Sequence, residues 1–110
     1  MGRTTRRPRR RCPTCTPEPK LTEAHWQRRV TDFATLRGWL VYYPLISRGS
    51  APGWPDLTLT RAGRLIFAEL KIDTGRLTRD QQAWLDKLAA CPGVIAHVWR
   101  PADCPTSWLP

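Results

Sequence analysis

Residues 53–71 have the sequence GWPDLTLTRAGRLIFAELK, and this stretch decides the fold. Residues 57–60 and 65–68 are rich in residue types that favour β-strands. The segment Arg61-Ala62-Gly63-Arg64 lies between them and carries the signals of a turn. The pattern predicts a β-hairpin whose loop is residues 61–64, with the glycine supplying any positive φ angle.

The shortest loop that this sequence suggests pairs Thr60 with Leu65. In that register Asp56 lies opposite Glu69, and side chains in directly opposite positions have Cβ atoms about 5 Å apart. Lys71 follows Glu69 by two residues, so it projects from the same face of the strand. The hairpin is therefore predicted to bring two carboxylates and one ammonium group together.

Two neighbouring carboxylates repel each other and stay ionised most easily when a cation lies between them. Hard divalent cations such as Mg²⁺ take oxygen ligands, keep several waters and pair with substrate phosphates. A nearby lysine can orient or deprotonate a water, or can neutralise charge on a phosphate in the transition state. The hairpin therefore fits metal-dependent phosphodiester hydrolysis. The alternative is a surface hairpin that carries an ordinary salt bridge.

The composition favours a nucleic-acid partner, because 18 Lys and Arg residues against 9 Asp and Glu residues give a net charge of +9. A chain of 110 residues with 41% hydrophobic content fits a single globular domain. No apolar run approaches the length of a membrane span, and the N-terminus lacks the apolar segment of a signal peptide. We therefore expect a soluble cytoplasmic protein with mostly reduced cysteines and no membrane partner.

The positive charge is concentrated at the N-terminus, where residues 1–11 hold six arginines and no acidic residue. The clustered arginines and prolines predict a disordered basic arm over residues 1–20 and a folded domain over residues 21–110. Such an arm binds phosphates through counterion release without recognising sequence. The alternative is a leader that only increases solubility.

Cys12 and Cys15 form a Cys-x-x-Cys motif inside this arm. The motif can supply half of a Zn²⁺ site, but such a site needs four ligands and no second pair follows at a typical spacing. A zinc site completed by Cys91, by Cys104 or by a second chain is therefore the less favoured interpretation.

Two capped helices and a last apolar strand complete the predicted domain. Thr22 caps the first helix, and Thr78-Arg79-Asp80-Gln81 forms a capping box before the second. The order α-β-β-β-α-β predicts an α/β fold with a mixed sheet flanked by helices, whose last strand is parallel to a neighbour because it follows a helix. The expected bounds are a helix at 23–37, a strand at 39–45, a loop at 46–55, the hairpin at 56–71, a helix from Thr78 to about Ala90, and a strand at 94–99.

Several separated motifs follow one another along the chain: Glu23, Gly53-Trp54-Pro55-Asp56, Glu69-Leu70-Lys71, Gly75-Arg76-Leu77-Thr78, Gln81-Gln82-Ala83-Trp84 and Val98-Trp99-Arg100-Pro101. Their order and composition resemble the VRR-NUC domain, a branch of the PD-(D/E)xK nuclease superfamily with a restriction-endonuclease-like core. The resemblance covers about residues 22–103. The basic Cys-x-x-Cys arm lies outside it, so no role for the arm follows from the family.

The resemblance implies a divalent metal site on the hairpin. Asp56, Glu69 and the backbone carbonyl of Leu70 would bind Mg²⁺ or Mn²⁺. Lys71 would position or activate the attacking water.

Two further residues would reach this site from the helices. Glu23 would add a carboxylate, although on the residues alone it is equally a first-turn acid favoured by the helix dipole. Gln81 resembles the helix glutamine with which the family reaches its site, whereas its alternative role is the capping partner of Thr78. The two roles of Gln81 are expected to compete.

Aromatic and basic residues near the motifs are candidates for nucleic-acid contact. Trp54 directly precedes the Pro-Asp pair and is the aromatic residue expected to meet nucleic acid, with packing on the core as its alternative. The arginines flanking the proposed site would hold phosphates or be solvated charges; they are Arg48, Arg76 and Arg79. The tryptophans assigned to the core are Trp26, Trp39, Trp84 and Trp99.

The implied function is a metal-dependent DNA endonuclease that is selective for branched or junction DNA, with RNA kept open as a substrate. Short stand-alone members of the family resemble phage enzymes that act as dimers. A homodimer is therefore expected in the cytoplasm of a phage-infected or bacterial cell, because symmetric cutting of two strands requires two sites related by a two-fold axis. The alternative is a non-catalytic nucleic-acid-binding protein that uses the basic arm.

Overall fold

The computed structural model describes residues 21–44, 49–72, 74–103 and 109. The expectations for the arm and its Cys-x-x-Cys motif, for Arg48 and for Cys104 lie outside the described residues. Among the described residues, no helix has the length and apolar character needed to cross a membrane.

The described residues form two helices and four strands in the order α-β-β-β-α-β, which confirms the predicted α/β class. The second helix and the last strand begin and end close to the predicted positions, whereas the first strand is shorter. The bounds are α1 Glu23–Leu36, β1 Leu40–Tyr42, β2 Leu57–Arg61, β3 Arg64–Leu70, α2 Arg79–Ala89 and β4 Val94–Trp99.

Both helices begin at threonine caps, as predicted. The hydroxyl of Thr22 accepts the N–H of His25 at 3.1 Å. At the start of α2 the hydroxyl of Thr78 accepts the N–H of Gln81 at 3.1 Å, and the side-chain oxygen of Gln81 accepts the N–H of Thr78 at 2.9 Å. This reciprocal pair is a complete capping box and fixes the first turn of α2.

Helix α1 ends in a Schellman motif that also sets the start of the sheet. The N–H groups of Gly38 and Trp39 donate to the carbonyls of Thr35 and Ala34, each at 3.0 Å, and Gly38 has a φ of +89°. Because the N–H of Trp39 is bonded to the helix, the strand begins one residue later than predicted. The predicted strand at 39–45 is therefore too long at both ends, since β1 has three residues.

The four strands form one sheet in the order β1-β2-β3-β4. β2 is antiparallel to both β1 and β3, whereas β4 is parallel to β3, as predicted for a strand that follows a helix. Thr60 pairs with Leu65, so the predicted register of the hairpin is confirmed.

The turn of the hairpin is tighter than the predicted loop of residues 61–64. Arg61 pairs with Arg64, which leaves only Ala62 and Gly63 between the strands. Their φ angles are +52° and +80°, and a two-residue type I′ turn needs positive φ at both positions. The expectation that the glycine alone supplies positive φ is therefore wrong.

The main core lies between α1 and one face of the sheet. Alternate residues of β2 and β3 point to this face, where they meet one side of α1 and two tryptophans. The indole N–H of Trp26 donates to the carbonyl of Trp99 at 3.1 Å and joins α1 to the end of β4. The buried members are Trp26, Val30, Ala34, Trp39, Leu57, Leu59, Ile66, Ala68, Leu70 and Trp99.

The opposite face of the sheet is divided between a covered half and an open half. Phe67 and Glu69 alternate with the core residues of β3, so they lie on this second face, and both are buried. Leu40 and Tyr42 on β1 share this face but remain 74% and 62% exposed. The covered half, toward α2, is where the predicted site lies.

Candidate active site

The hairpin register brings Asp56 beside the end of β3. Leu57, the first residue of β2, pairs with Ala68. Asp56 directly precedes Leu57, so continuing the register places Asp56 opposite Glu69. One carboxylate oxygen of Asp56 accepts the backbone N–H of Leu70 at 2.9 Å. This bond ties the Asp56 side chain to the neighbouring strand and fixes its orientation.

Among the described residues, Glu69 is the charged residue that is buried, with 2% of its surface exposed. Its Oε2 accepts a hydrogen bond from the side-chain Nε2 of Gln81 at 2.9 Å. Its Oε1 is buried and has no hydrogen-bond partner. An unpaired buried carboxylate oxygen is unfavourable for stability, so its presence indicates a ligand, a proton or a catalytic role.

The surroundings of Glu69 disfavour its ionised form. Burial and the nearby Asp56 carboxylate raise the pKa of Glu69 from 4.5 to about 8. Without a cation, Glu69 is therefore mostly protonated at neutral pH.

Two further charges act on Glu69 from the positions predicted by the sequence. Lys71 lies directly after β3, is half-buried, and lowers the pKa of Glu69 by its positive charge. Glu23, the first residue of α1, is exposed and raises that pKa slightly. Glu23 also lies in the first turn of α1, so the same position allows both interpretations: a first-turn acid and a carboxylate near the site.

Gln81 makes both of its predicted contacts at once. Its Oε1 accepts the N–H of Thr78 in the capping box, and its Nε2 donates to Glu69. The expectation that these roles compete is wrong, because the two ends of the amide serve different partners. The capping box also sets which end faces the carboxylate, since the oxygen is already bonded to Thr78.

The donor set fits a hard divalent cation in part. Within the described ranges, no three His, Cys, Asp or Glu residues are grouped closely enough to form a complete metal site. Asp56 and Glu69 nevertheless supply neighbouring carboxylates, and the unpaired Oε1 of Glu69 is free to accept a ligand. Mg²⁺ keeps several waters and is commonly held by one or two carboxylates plus substrate phosphates, so the chemistry of this pair is compatible with such a site.

The model of the VRR-NUC domain family matches residues 36–101, which is more than half of the chain. The chain belongs to the VRR-NUC domain family. Members of this family are generally nucleases, which supports a nuclease-type function. The match begins after most of α1, so Glu23 lies outside it.

A solved structure of a VRR_NUC domain protein has the same fold as this VRR-NUC domain. The two chains superpose with a TM-score of 0.59 at 22% sequence identity, over 73% of this chain and 78% of the other. A comparison with curated proteins finds no match.

The loop before Asp56 approaches α2 very closely in this VRR-NUC domain. A Cβ atom on Gly53 would lie 2.5 Å from the backbone carbon of Asp80 and 2.6 Å from its oxygen, and Gly53 has a φ of +89°. Only glycine permits this approach. One residue earlier, the carbonyl of Pro52 accepts the indole N–H of Trp84 at 3.0 Å.

The close approach was not predicted from the sequence. The sequence feature that could have indicated it is the glycine of the Gly-Trp-Pro-Asp motif, at the point where the chain turns into β2. What the sequence did not provide is the partner, because contact with Asp80 depends on where α2 packs.

Trp54 packs against the covered half of the sheet. Its ring forms T-shaped contacts with the rings of Phe67 and Trp84. The ring centroids are 5.5 Å apart in the first pair and 4.9 Å apart in the second. Trp84 is half-buried and lies outside the main core, which corrects its assignment as a core residue. Both tryptophans line a cleft of about 720 Å³ that also reaches Asp56 and Gln81.

The arginines expected to hold phosphates are placed only in part. Arg76 precedes α2 and Arg79 is its first residue, and both are exposed. Arg48 lies outside the described residues. Cys91 is a free, exposed thiol.

Proposed function

We propose that this VRR-NUC domain is a metal-dependent nuclease that hydrolyses phosphodiester bonds in DNA, with selectivity for branched or junction structures and with RNA as an open alternative. The observation that carries the proposal is the buried Glu69 beside Asp56, with one oxygen unpaired and Lys71 nearby. A structural carboxylate would have its oxygens satisfied, whereas a ligand group is left open for its cation.

Asp56, Glu69 and the carbonyl of Leu70 would hold Mg²⁺ or Mn²⁺, and Glu23 would add a carboxylate from α1. The bound cation would polarise the phosphate and lower the pKa of a water molecule. Leu70 contributes in a second way, because its N–H fixes Asp56. Gln81 fixes Glu69 from the other side, so the two carboxylates are oriented before substrate arrives.

Lys71 would act on the attacking water or on the phosphate. Its ammonium group influences Glu69 electrostatically, so it lies close enough to stabilise negative charge near the pair. In the reaction, a water oxygen bonds to phosphorus, the bond from phosphorus to the sugar oxygen breaks, and the leaving oxygen takes up a proton. Lys71 would orient or deprotonate the attacking water.

Substrate would be held by Arg48, Arg76 and Arg79, with the basic arm adding contacts to phosphates. A homodimer would suit selectivity for junctions, since the described residues of one chain supply one such carboxylate pair and two symmetric cuts need two. A Zn²⁺ site at Cys12 and Cys15 remains a separate and less favoured hypothesis.

The second candidate is a nucleic-acid-binding protein without catalysis, which the net charge of +9 alone would favour. A protein that only binds phosphates gains nothing from two carboxylates placed together, because they repel the ligand. The buried Glu69 therefore favours the nuclease.

The test uses labelled linear, flapped and four-way DNA and a matching RNA, each incubated with Mg²⁺, Mn²⁺ or excess EDTA. We expect cleavage with a divalent cation and none in EDTA. Asp56→Ala and Glu69→Ala should abolish cleavage and retain most of the binding, whereas Asp86→Asn, an exposed change on α2, should leave cleavage unchanged. Cleavage in EDTA, or full cleavage by either hairpin variant, refutes the metal mechanism.

A further inference from the structure

The cleft beside the carboxylate pair has walls of unusual chemistry for a phosphate-binding site. Its volume is about 720 Å³, and its lining includes Tyr42, Trp54 and Trp84 together with the loop at residues 50–55. Asp56 is the one charged residue among the described residues that line it. Because no Lys or Arg is among the described residues that line the cleft, this lining favours a neutral group over a negatively charged phosphate.

Tyr42 lines the cleft from the sheet. It lies on β1, where it pairs with Thr58, and its side chain is 62% exposed. On the other side, Trp54 and Trp84 hold each other nearly perpendicular, at 79°, and Pro52 bonds the indole of Trp84. These contacts order the two tryptophans in advance, so a flat ligand can stack in the cleft with little further loss of their side-chain freedom.

We propose that this cleft binds one unstacked nucleobase of the strand that is cut, next to the phosphate that reacts at Asp56. Every nucleobase is neutral and has a flat face that stacks on aromatic side chains, which matches the wall chemistry. In a continuous duplex the bases are stacked and paired, so the substrate must offer an unpaired base beside the cut. The inference rests on the proposed function and gives a physical reason for selectivity toward branched DNA.

The test compares two single strands of about 16 nucleotides that carry equal charge, one of thymidines and one of abasic residues. Binding of the full chain to each is measured by fluorescence anisotropy in EDTA at fixed salt, because equal numbers of phosphates make the electrostatic contribution equal. Tyr42→Ala should weaken binding of the thymidine strand by about 5- to 150-fold, the usual effect of losing one stacked base. It should leave binding of the abasic strand unchanged.

Two variants control this comparison. Tyr42→Trp keeps an aromatic face and should retain affinity. Leu40→Ala removes another exposed side chain from the same strand and the same face, but one that does not line the cleft. This variant should change neither affinity. Thermal melts of all variants confirm that each one folds.

The outcomes separate this inference from the proposed function. Equal weakening of both strands by Tyr42→Ala, or no weakening at all, overturns the nucleobase site even if Mg²⁺-dependent cleavage is observed. A thymidine-specific loss of affinity supports the nucleobase site even if no cleavage is found, in which case the nuclease proposal alone fails.

Discussion

Replacing Glu69 by glutamine should stabilise the metal-free protein while it abolishes cleavage. Burial and Asp56 raise the pKa of Glu69 from 4.5 to about 8, so the folded protein binds a proton that the unfolded chain releases between these values. The stabilisation by this proton is complete below pH 4.5 and is lost as the pH rises toward 8. The loss amounts to about 1.4 kcal/mol per pH unit and to at most about 5 kcal/mol in total.

Glutamine is neutral at every pH and keeps an oxygen that can accept from Gln81. The Glu69→Gln variant should therefore lose the contribution of this group to the pH dependence and be more stable than the parent at pH 8 in EDTA. The assay is urea unfolding of both proteins at about pH 5, 6.5 and 8, with the midpoint and slope giving the free energy of unfolding.

Metal adds a second, opposite dependence in the parent protein only. Mg²⁺ competes with the proton on Glu69, so the cation should raise the parent's melting temperature more at pH 8 than at pH 5.5. It should leave the melting temperature of Glu69→Gln nearly unchanged. A variant less stable than the parent at pH 8 in EDTA would show that the charge of Glu69 is not disfavoured. The reasoning about the carboxylate pair would then be wrong.

Three further predictions test the loop, the lysine and the arm. Gly53→Ala should lower the free energy of unfolding by about 2–4 kcal/mol, because the added Cβ would clash with the backbone of Asp80. Gly63 has a similar φ but open space around it, so Gly63→Ala should lower the free energy of unfolding less. Equal losses for the two variants in urea unfolding would exclude the clash. Lys71→Ala should slow cleavage about 10²-fold or more with little change in affinity, and normal turnover with weaker binding would reassign it to phosphate contact. Deleting residues 1–20 should leave the melting temperature unchanged, weaken DNA binding and make that binding less dependent on salt. Unfolding of the truncated protein, or loss of stoichiometric zinc, would show that Cys12 and Cys15 are structural.

The geometry of the hairpin could be predicted from the sequence because it depends on local rules. Strand-forming residues on both sides of Ala62-Gly63 allow few loop lengths, and the register that follows places Asp56 near Glu69. The capping box at Thr78 is equally local, since its partner lies three residues away. These two local features already contain most of the candidate site.

The burial of Glu69 and the cleft could not be predicted in the same way. Both depend on how α2 packs on the sheet, and that packing joins residues more than ten positions apart in the chain, such as Glu69 and Gln81. The assignment of Trp84 to the core failed for the same reason. The helical spacing placed Trp84 on the apolar face of α2. It could not show that the loop at residues 50–55 would cover only part of the Trp84 side chain.

The close contact of Gly53 with Asp80 links the loop, the second helix and the carboxylate pair. Because no side chain stands between them, the loop lies directly on the start of α2, where the capping box holds Gln81. The same contact sets the position of Trp54 against Trp84 and so forms the wall of the cleft. A side chain at position 53 would push the loop away from α2 and would move Asp56 relative to Glu69 and Gln81. The glycine of the Gly-Trp-Pro-Asp motif is therefore required for the geometry of the carboxylate pair, although it carries no chemistry of its own.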